Sequence, residues 1–344
     1  MSSLTIQVVQ SGNMYFLDPV MTELITVANQ YLESMKIKGN ATTTVRSYAY
    51  DLLNLVRWLE IKKLDFSKVT DRDVFSWIEF MKESNLKAAS INRRLSTCYS
   101  FFSYCYGDSI PKSLLVPYSR KSNWSGARKK QMQGVAGFWR KPKNQLKVKG
   151  ERRLIDPLTA DEVKDFLNHS NRYRDIGIIL LMLFCGLRSC EVLSLKLLDF
   201  DFERGRLKVL GKGNKERMLP FPDKLSAVIK RYMRYERPPN SSSGNLFVIL
   251  QGKRRGNRMT SEGLRKVFRY KREISNVKRA NAHLWRHSFG TNMARQGVQL
   301  PTLQKMMGHA SFKMTLRYIN LAMNDVAAEY DKAITIIEKK YLQD

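Results

Sequence analysis

The side chains best suited to chemistry lie in one stretch of the chain, from His283 to Tyr318. Arg286 follows His283 by three residues, and Tyr318 follows His309 by nine. No Asp or Glu interrupts this stretch. Arginine binds phosphate oxygens through a bidentate fork, and histidine carries protons near neutral pH. The set therefore predicts an anionic substrate, with phosphate the leading candidate, although each residue alone also fits a basic helix with core histidines.

The charge of the chain predicts a polyanionic partner. Sixty Lys and Arg stand against 31 Asp and Glu, a net charge of +29. Residues 1–110 are nearly neutral, whereas residues 111–153 hold 13 basic side chains and one acidic one. Such charge indicates nucleic acid without indicating an activity, since ribosomal and chromatin proteins are equally basic. A membrane is not expected, because no basic amphipathic helix stands out and the longest apolar run is too short to span a bilayer.

Length and cysteine spacing add two further expectations. A chain of 344 residues predicts two domains. The four cysteines have neither paired zinc-ligand spacing nor a C-x-x-C motif, so a reduced cytoplasmic protein is expected. No signal peptide is evident at the N-terminus.

Residues 1–110 are predicted to form a small all-helical domain. The first 18 residues have no definite character. Apolar positions then recur at helical spacing and predict four helices, over 21–35, 42–60, 70–81 and 90–106.

A basic interdomain linker is predicted over residues 111–157, where turn formers and charge replace the helical periodicity. Basic side chains in the helical domain and the linker are candidates for contacts to a nucleic-acid backbone, with ordinary solvated side chains as the alternative. These candidates are Arg46, Arg93, Arg94, Arg128, Lys129 and Lys130.

Residues 158–344 are predicted to form the second domain. Thr159 and Glu162 have the spacing of a capping box, and a buried helix over 174–185 ends at Gly186. Arg188 follows directly. Glu191 lies one helical turn further on, where its carboxylate can fix the Arg188 guanidinium; an ordinary surface ion pair is the alternative.

A β-hairpin is predicted next, because the strands Arg206–Leu210 and Arg217–Pro220 flank a short glycine-containing turn. Lys212 lies at this turn between two glycines, and Lys215 and Arg217 are further candidates for backbone contacts. A P-loop is excluded, since its pattern is absent. Beyond the hairpin the sequence predicts a helix, a strand and a basic helix, over 223–235, 246–250 and 260–274.

Read in chain order, the chemical residues form one pattern. It comprises Arg188 in Gly-Leu-Arg-x-x-Glu, Lys212 in Gly-Lys-Gly-Asn-Lys-Glu-Arg, His283-x-x-Arg286, Gly308-His309 and Tyr318. This ordered set resembles the catalytic set of the tyrosine recombinase (phage integrase) superfamily, of the Xer-like and transposon integrase type. The resemblance covers roughly residues 158–344, and the four-helix domain is similar to the family's core-binding domain. The linker is longer and more basic than in compact Xer-type members, so its role is not carried over.

The resemblance implies a fold and a reaction. The fold is mainly α with a small β-hairpin or sheet, and the two domains form a clamp on DNA. The reaction is site-specific recombination through a 3'-phosphotyrosyl intermediate and a Holliday junction, without metal, ATP or other cofactor. The implied roles are Tyr318 as nucleophile, Arg188 and Arg286 on the nonbridging oxygens, His309 as a further phosphate donor, Lys212 as general acid, His283 as general base or orienting group, and Glu191 as support for Arg188.

The resemblance also implies partners. These are double-stranded DNA with inverted-repeat core sites and three further copies of the chain, in a tetramer on two duplexes that exchanges residues from about 325 to 344. A cytoplasmic, nucleoid-associated location and a role in integration, excision or resolution of a mobile element are expected. Two alternatives stay open, a type IB topoisomerase-like enzyme that relaxes DNA and a noncatalytic DNA-binding protein.

Overall fold

A computed structural model of the protein describes residues 6–107, 146–150, 156–211, 213, 215–312, 314–316, 318, 330 and 334. The chain divides into two compact units, residues 1–152 and 153–344. The described part is mainly helical, as the sequence predicts, and contains two small antiparallel sheets. Across these residues, none of the helices combines the length and the apolar character needed to cross a membrane.

The N-terminal unit packs the predicted helices around one apolar core. Trp58, Trp77 and Phe101 are among its largest fully buried side chains. Thr22 caps the first helix, and Thr70 forms a capping box with Asp73 at the start of the third. The helices are α1 (Glu23–Ile37), α2 (Thr42–Lys62), α3 (Asp71–Glu83) and α4 (Ala88–Tyr106).

A β-hairpin that was not predicted from the sequence precedes these helices. Strand β1 (Gln7–Ser11) pairs with β2 (Met14–Asp18), and the fully buried Leu17 anchors the hairpin in the core. Asn29 of α1 accepts from the Leu17 N–H at 2.8 Å and donates to its carbonyl at 3.1 Å. Gly12 in the turn has φ +57°, a conformation that favours glycine. The Gly-Asn turn between short β-branched and aromatic runs is the signal that identifies such a hairpin.

The C-terminal unit is built around a helix that is buried on most of its surface, α6 (Tyr173–Cys185), which packs against α8 (Asp223–Tyr235) and α10 (Ala282–Arg295). The predicted capping box of Thr159 and Glu162 is present at its first helix. Strands β3, β4 and β5 form an antiparallel sheet in that order. The elements are α5 (Ala160–Asn168), α6 (Tyr173–Cys185), α7 (Ser189–Ser194), β3 (Phe200–Asp201), β4 (Arg206–Leu210), β5 (Glu216–Pro220), α8 (Asp223–Tyr235), α9 (Ser261–Ile274), α10 (Ala282–Arg295) and α11 (Leu300–Met307).

The strand predicted over 246–250 is not formed. Leu246 and Val248 are buried, but Val248 makes only an isolated bridge to Arg258. The Tyr232 hydroxyl donates to the Leu246 carbonyl at 3.1 Å and accepts from the Val248 N–H at 3.2 Å. The apolar run therefore reflects burial without a regular strand. Its backbone groups are satisfied partly by the Tyr232 side chain and partly by scattered backbone bonds, such as that from the Ile249 N–H to the Asn257 carbonyl at 2.9 Å.

Most of the predicted linker, with Arg128, Lys129 and Lys130, lies outside the described residues. Its described part, Leu146–Gly150, packs on α4 and belongs to the N-terminal unit. The Asn92 side chain accepts from the Val148 N–H at 2.8 Å and donates to its carbonyl at 2.9 Å. On the C-terminal unit, Arg279 donates to the carbonyls of Asp156 and Pro157, each at 2.8 Å. The exchange segment predicted at 325–344 also lies outside the described residues, except positions 330 and 334.

Candidate active site

Glu191 is the centre of the site in the C-terminal unit, and its side chain is only 4% exposed. The predicted ion pair is present, with Arg188 Nη1 donating to Glu191 Oε1 at 2.8 Å. Arg217 of β5 makes a bidentate contact with the same carboxylate. Its Nη1 donates to Glu191 Oε1 at 3.2 Å and its Nη2 donates to Oε2 at 2.8 Å. Burial opposes ionisation of Glu191, but hydrogen bonds from Arg217 and from the Arg188 N–H outweigh it and lower the pKa of Glu191.

Three arginines donate hydrogen bonds to three successive backbone carbonyls at the C-terminal end of α11. The last carbonyls of a helix lack helical partners and carry partial negative charge, so guanidinium groups suit them. The pairs are Arg217 Nε with Met306 O at 2.9 Å, Arg286 Nη2 with Met307 O at 2.6 Å, and Arg188 Nη2 with Gly308 O at 3.1 Å. The turn that leads into His309 is thereby fixed to three different elements.

Arg286 enters the site from α10 and is nearly fully buried, at 3% exposed. Its Nη1 donates to the Gly186 carbonyl and lies 3.7 Å from Glu191 Oε2. Burial, together with the neighbouring Arg188, lowers the pKa of Arg286 to about 10, so the group remains charged at neutral pH. A permanent positive charge is thus held at the edge of the domain core.

Tyr318 is buried in a small apolar cluster with Phe289, Leu303 and Met307, at 5% exposed. Its ring lies 6.1 Å from the His309 ring and parallel to it within 6°. Gly290 of α10 lies against the tyrosine, and a Cβ there would come within 2.6 Å of Tyr318 Cε1. The absence of a side chain at Gly290 allows the ring to pack directly on α10.

His309 is oriented by its neighbours. Its Nδ1 lies 3.0 Å from the hydroxyl of the fully buried Thr315. Its backbone N–H donates to the Gln304 carbonyl, and its carbonyl accepts from the Gln304 amide, each at 3.1 Å. Gly308 has φ +59°, which favours glycine, and a Cβ there would lie 2.9 Å from Arg217 Nη1, so a side chain at this position would displace the guanidinium.

His283 and Lys212 complete the predicted set. His283 is exposed in the first turn of α10, where its N–H donates to the Asn281 side chain at 3.0 Å. It lines a cleft of about 550 Å³ together with Arg188 and Arg286. Lys212 lies outside the described residues. Beside it, the Gly211 N–H donates to the Lys215 carbonyl at 2.8 Å, which closes the base of the turn.

The chain matches two family models, Phage integrase family over residues 156–325 and Phage integrase, N-terminal SAM-like domain, over residues 28–107. The chain belongs to the tyrosine recombinase, or phage integrase, family. One family match falls in each unit, and the N-terminal match does not include the β1–β2 hairpin.

Curated relatives of this recombinase include Xer proteins. It is 26% identical to tyrosine recombinase XerD of Proteus mirabilis over 299 residues, covering 86% of this chain and 88% of the relative. It is 24% identical to tyrosine recombinase XerC of Staphylococcus aureus (strain USA300) over 306 residues, covering 88% and 95%. The alignments therefore run through nearly the whole of these proteins.

The solved structures that share the fold of the recombinase include two complexes with a TM-score of 0.62. One is XerH site-specific recombinase bound to palindromic difH substrate, with a TM-score of 0.62 and 21% identity over 92% of this chain and 88% of that one. The other is the Tn1549 transposon integrase in complex with transposon right end DNA, with a TM-score of 0.62 and 22% identity over 90% and 99%.

Two residues of the recombinase differ from expectation. His287 was missed, although its ring lies 5.0 Å from the Tyr318 ring and it is buried. Its place directly after Arg286 on α10 was the available signal. Arg217 was predicted to contact DNA, but its side chain is 12% exposed and all three guanidinium nitrogens bind Glu191 or Met306. The neighbouring Lys215 is exposed.

The candidates for DNA contact in the N-terminal unit lie on α2 and α4. Arg46 is exposed and lies over the Tyr50 ring at 5.5 Å. Arg93 is half exposed and donates to the buried Asp51 at 2.6 Å, and Arg94 lies near the same carboxylate. Burial raises the pKa of Asp51 despite both arginines. Asp51 therefore orients Arg93 while leaving part of its guanidinium accessible.

Proposed function

We propose that this recombinase cleaves and rejoins double-stranded DNA at specific sites through a covalent bond between Tyr318 and the DNA 3'-phosphate. The observation that carries the proposal is the position of Tyr318. Its ring is parallel to that of His309, directly beyond the turn whose carbonyls bind Arg188 and Arg286. A phosphate at this turn would meet two permanent positive charges next to a tyrosine nucleophile.

Arg188 and Arg286 are proposed to bind the nonbridging oxygens of the scissile phosphate. Charge accumulates on these oxygens in the pentacoordinate transition state, where fixed donors stabilise it most. A guanidinium has five N–H donors, and the described contacts of Arg188 through Nη1 and Nη2 use two of them. His309, held at Nδ1 by Thr315, adds a further hydrogen bond to the phosphate.

The proton transfers are assigned to Lys212 and His283. As the Tyr318 oxygen bonds to phosphorus, the bond to the 5'-oxygen breaks, and Lys212 protonates that leaving oxygen. His283, exposed in the same cleft as both arginines, takes up or orients the tyrosine proton. A 5'-hydroxyl from a second duplex then attacks the phosphotyrosine, the bond between phosphorus and the Tyr318 oxygen breaks, and the tyrosine regains its proton. The reciprocal exchange in the other duplex completes a Holliday junction. Because the phosphodiester bond energy is retained, the reaction needs no ATP.

Metal independence is part of the proposal, because the two arginines supply the positive charge that a metal ion would otherwise provide. In the part of the chain that the structure describes, no group of three His, Cys, Asp or Glu side chains could hold a metal ion. Cleavage is therefore expected to proceed in the presence of a metal chelator.

The assembly is proposed to be a tetramer on two duplexes with inverted-repeat core sites, in which residues from about 325 to 344 exchange between neighbours. The XerH and Tn1549 integrase structures are complexes with DNA, which supports duplex DNA as the partner. The net charge of +29 supports it independently and is consistent with a location on the nucleoid in the cytoplasm.

The experiment is incubation with nicked suicide duplexes that tile the DNA flanking the gene, with a chelator and without nucleotide. Wild-type protein is expected to form a covalent adduct on a restricted set of duplexes, and Tyr318→Phe to bind DNA without an adduct. Tyr235→Phe, at a tyrosine that is 65% exposed, is the matched control and should react normally. Adducts on most duplexes would favour a topoisomerase, and no adduct on any would favour a noncatalytic DNA-binding protein.

A further inference from the structure

We propose that Arg217 is a positioning residue for strand cleavage. It ties the β4–β5 hairpin to Glu191 and to the end of α11, and thereby sets the geometry of Arg188 and of the turn before His309. The inference rests on the proposed function, since it takes Arg188 and His309 to act on the phosphate.

The first argument is how Arg217 binds Glu191. Two of its nitrogens contact the two carboxylate oxygens, Nη1 with Oε1 at 3.2 Å and Nη2 with Oε2 at 2.8 Å. A bidentate fork of this kind fixes the plane of a carboxylate as well as its position. Oε1 of the same carboxylate accepts from Arg188 Nη1. The orientation of the Arg188 guanidinium therefore depends on a carboxylate that Arg217 holds.

The second argument is that Arg217 contacts the turn into His309 on both sides. Its Nε donates to the Met306 carbonyl at 2.9 Å. Its Nη1 would lie 2.9 Å from a Cβ on Gly308, so the guanidinium packs directly against that glycine. Gly308 also presents its carbonyl to Arg188. One side chain thus braces the backbone immediately before His309.

The third argument concerns the hairpin. Arg217 pairs with Val209 in the β4–β5 register, close to the turn that carries Lys212. The base of that turn also lies beside the guanidinium, since a Cβ on Gly211 would come within 3.4 Å of Arg217 Nη1. Arg217 therefore connects the hairpin that bears the proposed general acid to the carboxylate that orients the phosphate-binding arginine.

The chemistry of the side chain excludes a simple replacement by lysine. Three contacts to two partners, Glu191 and the Met306 carbonyl, use the planar guanidinium, and an ammonium group is a point charge that cannot form the fork. Arg217→Lys keeps the charge and changes only the geometry. Arg217→Met removes both but keeps an unbranched apolar stem of similar reach.

The test separates DNA binding from single-turnover cleavage of a suicide duplex on which the wild-type protein forms its adduct. Both variants are expected to bind within about 3-fold of wild type and to cleave slower, by about 100-fold for Arg217→Met, the effect of misplacing reacting groups by about 1 Å. Arg206→Met removes an exposed arginine from the same sheet and is the matched control, with normal cleavage.

A second substrate distinguishes positioning from general destabilisation. A duplex with sulfur in place of the 5'-bridging oxygen has a leaving group that needs no proton. If Arg217 places the hairpin that carries the acid, this substrate should restore part of the lost rate in Arg217→Lys. Equal loss on both substrates would overturn the link between Arg217 and the hairpin that carries the acid. A variant that cleaves normally but binds weakly with a smaller salt dependence would overturn the inference as a whole. Absence of any adduct with wild type would instead overturn the proposed function.

Discussion

Gly290 and Tyr318 are in direct contact, because a Cβ on Gly290 would lie 2.6 Å from Cε1 and 2.7 Å from Cζ of the tyrosine ring. The ring therefore packs on the backbone of α10, the helix that also carries His283 and Arg286. The position of the Tyr318 ring, the proposed nucleophile, therefore depends on the absence of a side chain at Gly290.

Gly290→Ala is expected to displace the Tyr318 ring. The added methyl group overpacks a buried contact, so the free energy of unfolding should fall by about 1–3 kcal/mol and adduct formation should slow, while DNA binding is retained. Thermal unfolding and suicide-duplex cleavage measure the two effects. Gly263→Ala in α9 is the matched control, because its Cβ would meet only ordinary contacts at 3.5 Å or more, and no loss is expected. Normal cleavage by Gly290→Ala would show that the contact does not matter.

Glu191→Gln is expected to destabilise the protein by about 3 kcal/mol at neutral pH, because Arg188, Arg217 and Arg286 lose a buried anion. The pKa of Glu191 is lowered from 4.5 by folding. Its ionised form therefore contributes stability that is fully present above that value and is lost as the pH falls through the folded pKa. Urea unfolding of the wild-type protein and of Glu191→Gln should be measured at a series of acidic pH values. The difference between their free energies of unfolding should shrink below about pH 4.

The control for this pH dependence is Glu216→Gln, since Glu216 is 57% exposed and pairs with Lys208 across the sheet. A change of at most about 1 kcal/mol is expected there. A difference between wild type and Glu191→Gln that stays constant down to pH 3 would contradict the lowered pKa.

Local patterns predicted the parts of the fold that local interactions determine. The helices and the β4–β5 hairpin follow from periodicity and turn residues, and the Arg188–Glu191 pair follows from a spacing of one turn. The contact between Arg217 and Glu191 spans 26 positions, and nothing in the spacing says which partner a guanidinium will take. The same limit explains why Arg217 was assigned to DNA and why the role of Gly290 was not seen.

Burial with only isolated bridges in place of a regular strand accounts for the other discrepancy among the described residues of the C-terminal unit. An apolar run such as Leu246–Leu250 has the composition of a strand, but Tyr232 provides two of its backbone hydrogen bonds. Periodicity reports that a segment is buried and not how its backbone is satisfied.

Cys190 is expected to be the thiol most accessible to modification. It is exposed and lines the cleft with Arg188 and His283. Burial raises the pKa of both Cys98 and Cys185 to about 12, so their reactive thiolates are scarce near neutral pH. A maleimide adduct located by mass spectrometry should appear first at Cys190 and reduce cleavage. Cys190→Ser should resist inhibition, and inhibition that persists in this variant would assign the effect to another cysteine.

Asn92 and Val148 form the contact that fixes the described part of the connecting segment to α4. One amide side chain satisfies both the N–H and the carbonyl of a single residue, as a neighbouring strand would. The Tyr99 hydroxyl adds a bond from the Leu146 N–H at 3.1 Å. The backbone of this segment is therefore held by side chains of one helix.

Asn92→Ala is expected to release Leu146–Gly150 from α4. Loss of two partly buried hydrogen bonds should lower the free energy of unfolding of the N-terminal unit by about 1–3 kcal/mol. It should also speed hydrogen exchange at the Val148 amide, measured by mass spectrometry of the full chain. Ser96→Ala is the matched control, because Ser96 is exposed on the same helix and donates only to the Asn92 carbonyl, so Val148 should stay protected. Equal exchange at the Val148 amide in wild type and Asn92→Ala would mean that contacts other than those of the Asn92 side chain hold this segment on α4.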